Sequence, residues 1–72
     1  MNNYHINVFF SDDDGGYIAD IPDLKSCSAF GETPEMALRE VLLAKDAWLK
    51  TAQARGKRIP EPRYRPAIYA AA

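Results

Sequence analysis

The sequence predicts an α+β fold: a small antiparallel sheet in the order β-β-β, one long helix packed on it, and room for a short strand after the helix. Three observations predict it. Two runs of alternating apolar and polar residues flank the turn "SDDDGG" (11–16). A third, weaker alternation follows. One long segment then repeats apolar side chains at helical spacing between a cap and a terminating glycine.

The first strand is "YHINVFF" (4–10), where Tyr4, Ile6, Val8 and Phe10 fall on one side and His5, Asn7 and Phe9 on the other. The second is "GYIADI" (16–21), alternating Tyr17, Ala19 and Ile21 against Ile18 and Asp20. The link between them is turn chemistry. Glycine accepts positive φ freely, and Asp bonds its own backbone, so the two runs form an antiparallel hairpin. Pro22 lacks an N–H, so pairing ends near "PDL". "KSCSAF" (25–30) is the third strand.

The helix is expected over about 34–55. Thr33 is a good N-cap and Pro34 suits the first helical position. Glu35 and Arg55 match the two ends of the helix dipole, and Gly56 is placed to stop it. Ala37, Val41, Ala44 and Trp48 form one apolar row; Leu38, Leu42, Leu49 and Ala52 form the row beside it. About 22 residues make a rod of roughly 33 Å. That is long for so small a sheet, so the Trp48–Ala52 face is expected to overhang and to want a partner. The Pro-rich tail 57–72 is extended, and "AIYA" (67–70) can form a short final strand.

The whole is a single domain of 72 residues. So short a chain buries only ~60% of its unfolded surface and is marginal alone. One cysteine and one histidine supply neither a disulfide framework nor a metal staple. Self-association, as a dimer or tetramer, is therefore expected. No apolar run approaches the ~20 residues that span a bilayer, and the N-terminus lacks a basic leader. A cytoplasmic location is the expectation. The net charge of −1 conceals a division: residues 1–40 hold eight acidic and two basic side chains, residues 41–72 two acidic and seven basic. A two-signed surface suits a cationic partner at the acidic part.

The aspartates invite a catalytic or metal reading, which their spacing does not support. With Gly15 at position six of a calcium loop, position one is Phe10; with Gly16 there, position five is Gly15 and position twelve is Pro22. A two-metal nuclease needs carboxylates converging from several elements; here they are consecutive. His5 has no second histidine or nucleophile at useful spacing, and Cys27 reads as a small apolar residue. Gly15–Gly16 lacks the Gly-Lys-Ser/Thr ending of a phosphate loop. The basic tail with Tyr64 and Tyr69 reads as a solvated helix end rather than a nucleic-acid surface. No enzyme activity, cofactor or metal is expected.

The motifs in their order resemble the HicB family of antitoxins. They are Asp14-Gly15-Gly16-Tyr17, Ala19, Pro22-Asp23-Leu24, Cys27, Gly31-Glu32-Thr33, Ala37 and Ala44, and Ile59-Pro60-Glu61-Pro62, spread over residues 4–62. The resemblance implies a partial RNase H-like domain without nuclease carboxylates. It also implies an antitoxin of a type II toxin–antitoxin system, neutralising a HicA-like mRNA interferase by direct binding that masks its active site. The chain departs from the family pattern at Lys25-Ser26, where Pro-Gly is common. Many HicB proteins carry a further DNA-binding module. With Ala72 as the last residue, direct DNA binding by this chain alone is not expected.

On this reading Asp12, Asp13, Asp14, Asp20 and Asp23 line a negative rim facing a cationic toxin, with Tyr17 as an apolar centre. Trp48, Ile68 and Tyr69 are the expected oligomer contacts. The alternative is an orphan interaction or scaffold module of the same fold with no toxin partner.

Overall fold

The structure is a computed structural model and describes residues 3–66. β1 (Asn7–Ser11), β2 (Gly16–Asp20) and β3 (Ser28–Gly31) form one antiparallel sheet in that spatial order, and α1 (Pro34–Ala54) covers one face. The α+β architecture is the one expected, with shorter strands. β2 stops at Asp20 because the chain turns at Ile21–Pro22, and β3 starts late because Lys25 and Ser26 sit inside a turn. Residues 67–70 lie outside the described residues, as do Ile68 and Tyr69.

Register assigns the two faces. Val8 pairs with Ala19 and Phe10 with Tyr17; Ala19 pairs with Ala29 and Tyr17 with Gly31. Directly opposed residues share a face, so this set faces the helix. The other set, Asn7–Asp20–Ser28 and Phe9–Ile18–Phe30, faces away. The smallest extent of the molecule is 19 Å, two layers deep, and no third layer covers the outer face among the described residues.

The core is built from Tyr4, Ala19, Ile21, Leu24, Cys27, Ala37, Val41 and Leu49. Ile21, Leu24 and Val41 are the largest fully buried side chains. Small residues at Ala19, Ala29 and Ala37 let the helix lie close to the sheet. At Gly31 the approach is closest: a Cβ there would come within 2.2 Å of the Ala37 backbone nitrogen. The helix therefore sits over β3 and β2 and only lightly over β1. In consequence Val8 and Phe10 stay exposed although they are on the helix side, and so do Leu38 and Leu42 on the helix flank.

Both helix ends are as the sequence predicts, within one residue. The Thr33 hydroxyl accepts from the Met36 N–H at 3.1 Å. At the other end the Gly56 N–H donates to Gln53 and the Lys57 N–H to Ala52, a paired C-terminal cap with Gly56 at φ +68.

Two consecutive turns join β2 to β3. The Leu24 N–H donates to Ile21 and the Cys27 N–H to Leu24, and the Ile21 N–H closes the loop on the Cys27 carbonyl at 3.0 Å. Ser26, the third residue of the second turn, has φ +62. That position of a type II turn demands positive φ and prefers glycine, with proline before it. Lys25-Ser26 thus makes the turn of a Pro-Gly pair at some backbone cost.

The tail does not leave the helix end overhanging. Tyr4 donates its hydroxyl to the Pro60 carbonyl, Ile59 packs on the core, and Leu49 and Ala52 are buried. Trp48 is half-buried and its indole N–H donates to the Lys25 carbonyl at 2.9 Å. Instead of overhanging the sheet, Trp48 ties the helix to the β2–β3 turn, and the rest of its surface lines a groove on that side.

Two stability measurements check this account. Gly31→Ala forces β3 away from the helix and should cost about 2 kcal/mol or more in urea unfolding. Ser26→Gly relieves about 1–2 kcal/mol of left-handed strain and loses about 0.4–1 kcal/mol to a looser unfolded chain. A net gain of about 0.5–1 kcal/mol is expected.

Candidate protein-binding surface

The β1–β2 hairpin carries the acidic turn on a stiff stem. The Gly15 N–H donates to the Ser11 carbonyl at 2.9 Å, with Gly15 at φ +69. The Ser11 hydroxyl donates to Asp14 Oδ2 at 2.7 Å, which folds that carboxylate back on the strand end. Asp12 and Asp13 are exposed at the apex, and Asp14 is exposed beside them. Register places Gly31 next to this end of β2, so exposed Glu32 and Glu35 join the three aspartates at the same end of the molecule. Sequence reading passed over these two glutamates, since only the pairing of Tyr17 with Gly31 brings them near the hairpin.

Asp20 and Asp23 belong to the opposite end. The β2 strand separates them from the acidic turn by ~13 Å or more at about 3.3 Å per residue. Both are engaged. Asp20 accepts from the Asn7 side-chain amide at 3.2 Å, which leaves the Asn7 carbonyl oxygen 2.7 Å from His5 Nε2. That oxygen can only accept, so the imidazole carries its proton on Nε2. Asp23 accepts the Tyr64 backbone N–H at 3.1 Å on each carboxylate oxygen, and the Tyr64 ring lies 4.8 Å from the His5 ring. This ribbon pins the tail across the start of the chain. No sequence signal announces it, because Tyr64 lies 41 residues from Asp23 and still farther along the chain from His5.

The five aspartates therefore do not form one rim. Three are exposed at the hairpin tip, and two are structural ties at the far end. Tyr17 is half-buried on the helix side, edge-on to Phe10 with ring centres 5.3 Å apart. Only part of its ring is available to a partner.

A shallow groove of about 510 Å³ lies between the β2–β3 turn and the C-terminal half of α1. Lys25, Arg55 and Lys57 are its charged residues, with Ser28, Thr51 and Trp48 beside them. The two-signed surface expected from the sequence thus takes a definite form, with acid at the hairpin end and base at the far end of the helix.

Cys27 is buried, and burial pushes its thiol up, helped by the Asp20 charge and opposed by Lys45. Burial likewise pushes the Tyr4 hydroxyl up, with a smaller contribution from Asp23. Among the described residues no group of three His, Cys, Asp or Glu side chains is arranged to hold a metal ion. Among them, too, no helix is long and apolar enough to cross a membrane.

A curated relative decides the family. The UPF0150 protein ssl0259 of Synechocystis sp. is 45% identical over 58 residues, covering 81% of this chain and 78% of the relative. The chain belongs to the UPF0150 family. No family model matches the chain, and no solved structure does.

The two raised groups give a pH dependence with a definite sign. A folded state that holds its protons longer than the unfolded chain is most stable while both states are protonated. The ordinary values are 9.0 for Cys27 and 10.0 for Tyr4. The contribution is therefore complete below these values and lost as pH rises through and above them. The urea midpoint should fall from about pH 9 upward. Cys27→Ala should remove the earlier part of the fall, and native Cys27 should react with a thiol reagent only as fast as the chain opens.

Proposed function

We propose that this UPF0150 chain is a HicB-like antitoxin that neutralises a small, basic, HicA-like RNA-cleaving protein by binding over its active site. The observation that carries the reading is the exposed Asp12–Asp13–Asp14 turn on its hydrogen-bonded stem, next to Glu32 and Glu35. A protein that cleaves RNA must present cations to phosphates. An acidic projection of fixed shape offers the same cations an alternative ligand. Complementary charge of this kind raises the rate and selectivity of encounter.

The motif order described above, from Asp14-Gly15-Gly16-Tyr17 to Ile59-Pro60-Glu61-Pro62, supports the same reading. The three-stranded sheet and helix are compatible with a partial RNase H-like domain that serves as a binding platform. In this reading the chain breaks no bonds, and contact with DNA is no part of its action.

The test uses the product of a neighbouring reading frame that is short, basic and contains histidine. Co-expression of the two should relieve growth arrest caused by that product alone. The Asp12/Asp13/Asp14→Asn variant should associate with it about tenfold more slowly at low salt, with the difference shrinking as salt screens the charges. Equal association rates at both salts would remove the acidic turn from the mechanism. Arrest unrelieved by the native chain would remove the antitoxin reading itself.

A further inference from the structure

We infer that the groove between the β2–β3 turn and the C-terminal half of α1 is a docking site for an extended acidic peptide segment of a partner protein. The site is separate from the acidic turn and does not rest on the antitoxin reading. Among the described residues that line the groove, every charged one is a cation: Lys25, Arg55 and Lys57, all exposed. They border an open space of about 510 Å³.

The sequence builds the walls. Ala44, Ala47, Thr51 and Arg55 follow one another at spacings of three and four, so they share one face of the helix. The alanines keep that face low, and buried Cys27 lies on the turn side. Trp48 stands between the two walls, half-buried, with its indole N–H donated to the Lys25 carbonyl at 2.9 Å. The ring is thus held in place, and its remaining surface toward the groove is apolar. A preformed aromatic surface asks little ordering of the protein on binding. Tryptophan and arginine are also the residue types that most often carry the energy of protein interfaces.

Shape decides between ligand classes. From Ala44 to Arg55 the helix wall rises ~16 Å. An extended chain at ~3.3 Å per residue spans that length with about five residues. A small molecule is enclosed over most of its surface by its pocket, and this groove is shallow. A nucleic-acid strand needs aromatic platforms for successive bases; Trp48 is the single aromatic side chain among the described lining residues. The lining suits a segment with apolar side chains at its middle and acids at its ends. The apolar side chains cover Trp48 and the alanines. The carboxylates meet Lys25 on the turn side and Arg55 and Lys57 at the helix end, where the guanidinium can take a carboxylate in a two-pronged pair. The described tail does not fill this place. Beyond Lys57 it runs past Tyr4 to His5, beside the start of β1 and across the sheet from β3.

The test uses the fluorescence of Trp48, the chain's one tryptophan. The probe is the end-blocked peptide Glu-Leu-Phe-Glu-Asp, titrated into the full chain and followed in parallel by calorimetry. So small a contact predicts a Kd of about 0.1 mM, and the Trp48 emission should change along the calorimetric curve. Salt should weaken binding without abolishing it, because the apolar contacts are not screened. Arg55→Glu/Lys57→Glu should weaken binding about tenfold or more and should take up the peptide Lys-Leu-Phe-Lys-Lys, which the native chain rejects. Lys25→Glu, on the opposite wall, should act in the same direction. Arg39→Glu/Lys50→Glu makes an equal change of charge at exposed positions off this face. It is the control and should bind the acidic peptide as the native chain does, with circular dichroism confirming that all variants fold alike. No binding by either measurement at millimolar peptide overturns the proposal. So does a loss in the control as large as in the groove variants, or no loss in either groove variant. A single-stranded oligonucleotide of equal charge that binds more tightly than the peptide overturns it too, because the cations would then serve phosphates.

Discussion

The close approach of β3 to the first turn of α1 at Gly31 sets where everything else lies. With no side chain there, the helix backbone comes down onto the sheet at its β3 side. A helix of 21 residues cannot then cover a sheet three strands wide. It covers β3 and β2 and lies only lightly over β1. Among the described residues, the exposure of Val8 and Phe10 and of the Leu38 and Leu42 flank follows from that offset. Packing density matters here because a shift of one or two ångströms at the contact would redistribute burial across the whole sheet.

The far end of the helix is held in a different way. Tyr4, Ile59 and Leu49 close the core there; the Trp48 indole makes one long-range hydrogen bond to the loop between β2 and β3, and the Tyr64 N–H is shared between both oxygens of Asp23 in the same loop. Polar ties of about 1 kcal/mol each add little to stability. They do fix the path of an otherwise irregular tail. The result is a molecule with a rigid acidic end and a basic end stitched together by the tail. That division of charge is what the proposed encounter with a cationic partner draws upon.

Much of the fold was legible before any coordinates. The hairpin, the order of elements, the Thr33 cap and the Gly56 stop follow from local rules whose partners are three to six residues apart. The positions of Asp12, Asp13 and Asp14 at a hairpin tip were legible for the same reason. The grouping of those three with Asp20 and Asp23 was not correct, because strand length separates the ends of β2 and two of the five carboxylates are used internally. The tie from Trp48 to the β2–β3 turn was not legible, because an apolar row on a long helix says nothing of which loop returns to meet it.

What the sequence by itself determined is the set of elements, their boundaries to within a few residues, and the acidic character of the hairpin turn. Turn residues, caps and periodicity are local, so the chain declares them locally. Only the tertiary structure decided that the helix lies off-centre over β2 and β3, that Ser26 takes the left-handed place of a glycine, and that Asp23 binds the tail. Those outcomes depend on side chains and backbone segments distant in the chain competing for the same space. No reading of neighbours along the sequence contains that competition.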